Sequence, residues 1–404
     1  MIVRIHKSEL GGTIRICPSK SYEQRALAIS ALMHEGIEVQ NPGGSADVEA
    51  CRNIVNRIKV CDKTFDCGES ALCARMFPPI IALHTDNFTI EGSGTLLHRN
   101  IDRDLKFYEN NFGWKISHEG FPIQISNARL TSGNFPLDGS HTSQVITGLI
   151  LALSVVDGNS KLTIENPTSV GYILMTIDAA NNAGANISCT RDSNYFKIDI
   201  CGNTVFNPKT YETEGDWSNA AFLIAAGLTD GGISISGLNP ESLQPDRAIL
   251  EVMDLCNAKY EWLDGTLVIH KSDIRQFDFD ATDCPDLIPP LCILALNADR
   301  ECKIKGADRL VGKESNRLEA ITKELSKLGA KVETDGNILT IHPLKNIRST
   351  IVDSHNDHRI AMMLSIIGLK SEEMEIHGSE CVSKSYPEFF DALKSLGAKI
   401  ETKD

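Results

Sequence analysis

Three observations predict an α/β fold built from repeated units. Amphipathic, helix-like stretches run into a Gly or Asn and then into an alternating strand. The pattern recurs five times. Its spacing is about 70 residues, enough for several strands and two helices per unit. The copies read NNFGWKI (110–116), NNAGANI (181–187), LCNAKYEWLDGTLVI (255–269), KLGAKVETDGNILTI (327–341) and SLGAKIE (395–401). Gly113, Gly184, Asn257, Gly329 and Gly397 stand where each helix should end, and these residue types accept a left-handed C-cap. RNIVNRIKVCDKTFD (52–66) reads as a degenerate further copy.

Taken in order, helices are expected at 21–34, 70–83, 143–155, 170–183, 217–227, 246–257, 314–328, 357–369 and 387–396. Many begin at a polar or proline-containing turn, and Asp216 is placed to cap the helix that follows it. The segment EGDWSNAAFLIAAGL (214–228) also has the character of a junction between halves. No low-complexity linker occurs, so short ordered crossings should join the halves. The 404 residues suit two or three domains.

Lys and Arg number 40 against 54 Asp and Glu, a formal net charge of −14. Such a chain repels phosphate backbones in bulk, which excludes a broad nucleic-acid-binding surface. It disfavours acidic small molecules as well, unless the cations are gathered in one place. No apolar run of about 18 residues is present, so no membrane span is expected. The start alternates like a strand and lacks a signal core, and the 12 Cys are scattered, several in apolar runs. Reduced thiols in a cytoplasmic protein are the expectation. There is no C-x-x-C pair, no G-x-x-x-x-G-K-[ST] loop and no G-x-S-x-G elbow, which removes the usual warrants for structural zinc, nucleotide hydrolysis and esterase chemistry.

Several polar clusters stand at expected helix starts. CPSKSYEQRAL puts Lys20 and Ser21 at one opening and Arg25 a turn further in. This is either an anion site or an N-cap followed by solvated charges. DGSHTSQ (138–144) places Thr142, Ser143 and Gln144 at another start, where they cap the helix or orient a ligand. DRLVGKESNRLE (308–319) gathers Lys313, Glu314 and Arg317. On one helix face Lys313 and Arg317 would repel unless an anion joined them. SHNDHRIAM (354–362) adds His355, Asp357, His358 and Arg359; its histidines lack a third metal ligand, so a polar helix start is favoured over a metal site. SKSYPEFF supplies Lys384.

In order, these clusters resemble the EPSP synthases, the 3-phosphoshikimate 1-carboxyvinyltransferases of aromatic amino-acid and chorismate biosynthesis in the shikimate pathway. The resemblance is carried by P-S-K-S-x-x-x-R-A-L (18–27), D-G-S-x-[ST]-S-Q (138–144), S-x-x-Y (169–172) and P-D (285–286). It continues in K-E-S-N-R-L (313–318), N-D-H-R-x-A-M (356–362) and S-K-[ST]-[FY]-P (383–387). It implies the two-lobed enolpyruvyl transferase fold, with six βαβαββ repeats, three per lobe, and the active site in the cleft. Lobe one would hold 1–18 and 216–404, and lobe two 19–215.

The implied reaction moves the enolpyruvyl group of phosphoenolpyruvate to the 5-hydroxyl of shikimate 3-phosphate and releases phosphate. By motif position, Lys20, Ser21, Arg25, Thr142, Ser143, Gln144, Ser169, Asp286 and Lys313 would hold shikimate 3-phosphate. Lys20, Arg75, Arg99, Gln144, Arg317, Arg359 and Lys384 would hold phosphoenolpyruvate. Asp286 would be the base on the attacking hydroxyl, and Glu314 or Lys20 the proton donor to the methylene carbon. The resemblance implies no metal, no organic cofactor and a monomer.

The fit is poorest at 68–75. Members read close to G-N-[SA]-G-T-x-x-R, whereas this chain has Glu69, Ala71 and Leu72 at the amide, Gly and Thr positions and keeps Arg75. The added methyl of Ala71 implies weak inhibition by glyphosate. Arg309 stands where many members carry a substrate-touching amide, and it is left out of the site. The same-fold alternative, UDP-N-acetylglucosamine enolpyruvyl transferase, typically carries a Cys in a P-C-x-x-D-x-R context, which is missing here. A non-catalytic binding protein would be expected to lose Asp286 or Glu314, and both are present.

Overall fold

A computed structural model describes residues 1–117, 119–192 and 195–403. The chain divides into two compact units, Lys20–Thr213 and the pair Met1–Ser19 with Glu214–Asp404. Each has its own apolar core.

The first unit contains the helices α1 (Lys20–Ala31), α2 (Ala46–Lys59), α3 (Ala71–Ile81), α4 (Asp102–Phe112), α5 (Gln144–Val155) and α6 (Val170–Asn182). The second contains α7 (Trp217–Asp230), α8 (Ile249–Leu255), α9 (Ile288–Leu296), α10 (Arg317–Lys327), α11 (His358–Gly368) and α12 (Phe389–Ser395). Of these, α7, α9 and α11 are buried along nearly all their length and pack on one another. A helix apolar all round belongs at the centre of a core, which is why each of these sequences lacks a polar stripe. Their N-terminal ends carry the polar residues of the site described below. Packed pairs in the first unit include α3 with α5. Gly148 permits that approach, since a Cβ there would collide with the Met76 backbone.

Among the described residues, five four-stranded sheets share one pairing plan: a parallel pair, whose second strand pairs antiparallel with a third strand, which in turn pairs antiparallel with the fourth. In the sheet of Thr64–Asp66, Phe88–Glu91, Lys115–Ile116 and Ile123–Ser126, the first pair is parallel, and the last strand pairs antiparallel with both its neighbours. The N-terminal strand Ile2–His6 completes the sheet that contains Lys399–Lys403. All five helix-ending residues have positive φ: Gly113 69°, Gly184 109°, Asn257 58°, Gly329 97° and Gly397 104°. A strand follows each of them.

The sixth repeat is reduced. Its sheet has two parallel strands, Glu38–Gln40 and Thr210–Glu212. The segment 52–66 ends α2 and turns through left-handed Cys61, as a copy of the repeat should. Its strand Thr64–Asp66, however, opens the next repeat and pairs parallel with Phe88–Glu91. Residues 60–63 leave no length for a hairpin.

Helix boundaries differ from expectation in several places; α1 ends at Ala31 and α7 runs on to Asp230. The segment expected to be helical from 314 starts at Arg317, because Asn316 caps it and accepts from the Glu319 amide. The segment 246–257 opens as a 3-10 turn, Pro245–Ala248, ahead of α8. Lys384 ends another 3-10 turn, Ser379–Lys384, before α12.

Candidate active site

In the second unit the polar residues converge on Asp286, in a 3-10 turn that leads into α9. One of its oxygens accepts from Arg317 Nη1 at 2.9 Å and lies 3.5 Å from Lys313 Nζ; the other is 3.1 Å from Arg359 Nη2. Burial alone would raise its pKa. Arg359, Lys313 and Arg317 outweigh that penalty and hold the carboxyl well below its ordinary value. Lys313 and Arg317 do not share a helix face, since α10 begins at Arg317. The anion that joins these two cations is Asp286.

Arg317 is 1 % exposed. Its Nε donates to Asp357 Oδ2 at 2.9 Å, its Nη2 to Glu314 Oε2 at 2.7 Å and to Asp357 Oδ1 at 3.2 Å, and its Nη1 to Asp286. The resemblance implies that Arg317 clamps phosphoenolpyruvate; its contacts within the chain are with carboxylates. The guanidinium is bracketed by these three carboxylates and orients Asp286 and Glu314. Asp357 caps α11 by accepting from the Arg359 amide, and it also receives the Ser315 hydroxyl. Lys384 is buried at the end of its turn.

Asp246, which no sequence motif singled out, is fully buried in the turn before α8. Ser218, at the start of α7, donates to Asp246 Oδ2, while Oδ1 has no hydrogen-bond partner among the described residues. Burial, then the charge of Asp286, pushes its pKa up to about 7. A carboxyl raised on folding favours the folded state fully below its unfolded pKa of about 3.9, and that stability declines as pH climbs toward the folded value. Asp246→Asn should therefore lose less stability than the parent between about pH 4 and about pH 7 in urea unfolding. An unchanged slope would contradict the assignment.

In the first unit, Lys20 opens α1 and donates to Asp47 Oδ2 at 2.8 Å; Ser21 follows it. Arg25 is 2 % exposed and donates to Thr176 Oγ1 at 2.9 Å, Ser21 O at 2.7 Å and Tyr172 O at 2.9 Å. These partners are neutral, and burial lowers its pKa to about 10. A guanidinium that is desolvated without a carboxylate partner gains from an anionic ligand. Ser169, ahead of α6, holds a left-handed φ of 54°, a conformation that costs energy for a non-glycine residue and tends to cluster at binding sites.

Thr142 Oγ1 accepts from the Gln144 amide at 3.2 Å, so Thr142 serves the start of α5, while Ser143 makes no capping bond through its side chain. Arg75 Nη1 donates to Gln144 Oε1 at 2.9 Å, Nη2 to Asn100 O at 3.4 Å and Nε to Asp104. Arg75, like Arg317, thus makes several contacts with protein acceptors within the chain. Arg99 ends the 3-10 turn Gly94–His98 and is half-buried.

Sequence reasoning missed Asp47, Asp104, Asp246 and Ser218. A helix-start pattern finds caps and cations. The buried carboxylates that balance them come from distant segments and leave no local signature.

The family model for EPSP synthase (3-phosphoshikimate 1-carboxyvinyltransferase) matches residues 55–393. A 3-phosphoshikimate 1-carboxyvinyltransferase of Clostridium acetobutylicum is 35% identical over 427 aligned residues, covering 98% of both chains. That of Clostridium novyi is 33% identical, covering 99% of this chain and 98% of its own. An EPSP synthase structure from Acinetobacter baumannii superposes with a TM-score of 0.79 at 20% identity, over 99% of this chain and 100% of that one. The enolpyruvyl transferase NikO from Streptomyces tendae gives 0.79 at 16%, over 99% and 98%. Those two share the fold; the full-length sequence matches carry the relationship further, and the chain belongs to the EPSP synthase family.

Proposed function

We infer that the chain carries out its family's reaction as a 3-phosphoshikimate 1-carboxyvinyltransferase. It transfers the enolpyruvyl group of phosphoenolpyruvate to the 5-hydroxyl of shikimate 3-phosphate and releases phosphate. The observation that carries this reading is Asp286, an ionised carboxylate set among three cations. Such a group can take a hydroxyl proton while the cations beside it receive polyanions.

The hydroxyl oxygen bonds to C2 of phosphoenolpyruvate as its proton passes to Asp286, and the methylene carbon gains a proton. Loss of a proton from that carbon then expels phosphate and restores the double bond. Glu314, whose Oε2 accepts from Arg317, or Lys20, which donates to Asp47, gives the methylene carbon its proton. Arg25, Ser21, Ser169, Thr142, Ser143, Gln144 and Lys313 hold shikimate 3-phosphate. Lys20, Arg75, Arg99, Gln144, Arg317, Arg359 and Lys384 hold phosphoenolpyruvate.

The twelve cysteines are all free thiols, which supports a reducing, cytoplasmic setting. No helix among the described residues is long and apolar enough to cross a membrane.

The test is phosphate release from phosphoenolpyruvate with shikimate 3-phosphate, and with UDP-N-acetylglucosamine as the alternative acceptor. Release should depend on the first acceptor; release with only the second would overturn the assignment. Arg359→Ala should raise KM for phosphoenolpyruvate by about tenfold or more, with a smaller change in kcat. A loss confined to kcat would contradict the binding role.

A further inference from the structure

Glu69 stands where the family carries an amide, in the loop between strand Thr64–Asp66 and α3. Its Oε2 accepts from the Thr95 amide at 3.0 Å and from Thr95 Oγ1 at 2.6 Å. Thr95 lies in the first turn of the 3-10 segment Gly94–His98, so the carboxylate sits where unsatisfied N–H groups point outward. The contact is tight. Gly94 has a φ of 52°, and a Cβ on it would collide with the Glu69 carboxyl. One residue away, Gly68 O accepts from the Ser93 amide at 2.8 Å.

The same short segment delivers Arg99, whose amide closes the turn onto Leu96 O at 3.0 Å. Leu96 is fully buried and anchors the middle of the segment, while Ser93, Gly94, Leu97 and His98 are exposed. Arg75 holds the far end through Asn100 O. The backbone bearing Arg99 is therefore tied at its start by Glu69, in its middle by Leu96 and at its end by Arg75. All three ties lie within one unit of the chain.

We propose that Glu69 is a positioning residue for Arg99: by seating its carboxylate on Thr95 it fixes the direction from which Arg99 meets the anionic end of phosphoenolpyruvate. This rests on the assignment of Arg99 to that substrate. Without the clasp an exposed stretch of backbone must be ordered by the ligand itself, and that ordering is subtracted from affinity. The loss therefore falls on one substrate. Shikimate 3-phosphate is bound by other residues and should be indifferent.

Glu69→Ala should raise KM for phosphoenolpyruvate roughly tenfold, with KM for shikimate 3-phosphate and kcat each within about threefold of the parent. Glu69→Gln keeps an acceptor oxygen and should recover most of the loss. Thr95→Val, which removes only the hydroxyl, should shift the same KM by less. Amide hydrogen exchange over 93–101 should accelerate in Glu69→Ala while the remaining core keeps its protection. An equal rise in both KM values, an unchanged KM for phosphoenolpyruvate, or unchanged exchange over 93–101 would overturn the proposal. If the parent protein itself fails to turn over these substrates, the functional reading falls. Exchange over 93–101 then still decides whether Glu69 orders this segment.

Discussion

Asp286→Asn is expected to lower kcat by about 10²- to 10⁴-fold, the range over which a positioned general base contributes. KM for phosphoenolpyruvate should stay level or fall. Asp286 neutralises part of the charge on Arg317, Lys313 and Arg359, so the amide leaves these cations with more attraction for a polyanion. A structural lesion would instead raise KM along with the drop in kcat. Steady-state kinetics with each substrate varied separates the two, and a variant keeping more than about a tenth of parental kcat would remove Asp286 from the role of base.

Arg317→Ala is expected to cause the largest loss of stability. The guanidinium is 1 % exposed and compensates Asp357, Glu314 and Asp286; Asp357 has no exposed surface. Removing one partner of a buried ionic cluster leaves the others desolvated and uncompensated, at a cost of about 3–5 kcal/mol. The deficit should shrink on acidification, because without Arg317 the Asp286 carboxyl loses part of what holds it well below its ordinary value and takes up a proton more readily than in the parent. Arg317→Lys should recover part of the stability, because an ammonium restores the charge without the fork. Urea unfolding at neutral and acidic pH checks both statements. A variant as stable as the parent at neutral pH would show that the bracket contributes nothing.

The repeat was legible because each copy ends its helix on a residue that tolerates positive φ, as Gly113, Asn257 and Gly397 illustrate, and then alternates as a strand. The reduced sixth repeat was not. The sequence at 52–66 carries the same helix, left-handed residue and strand, and only strand pairing shows that Thr64–Asp66 belongs to the next sheet. The cations of the site could be read from motifs at helix starts, since local sequence controls capping.

What those cations do was harder to read. Lys313 and Arg317 are four apart, which suggested one helix face. The Asn316 cap moves the helix start past Lys313, and Asp286, distant in sequence, becomes their shared partner. The motifs named Arg75 and Arg317 but not their protein acceptors Asp104, Gln144, Asp357 and Glu314, most of which come from distant segments. Likewise the net charge of −14 spoke against acidic ligands, because a sum over the chain hides how its cations are gathered around Asp286.

Nuclear magnetic resonance of a reaction containing ¹³C-labelled phosphoenolpyruvate and shikimate 3-phosphate tests the account most directly. It should show the label in a vinyl ether on the 5-hydroxyl, with one phosphate released for each acceptor consumed. Label that ends in free pyruvate, or that stays in phosphoenolpyruvate while the acceptor is unchanged, would contradict it.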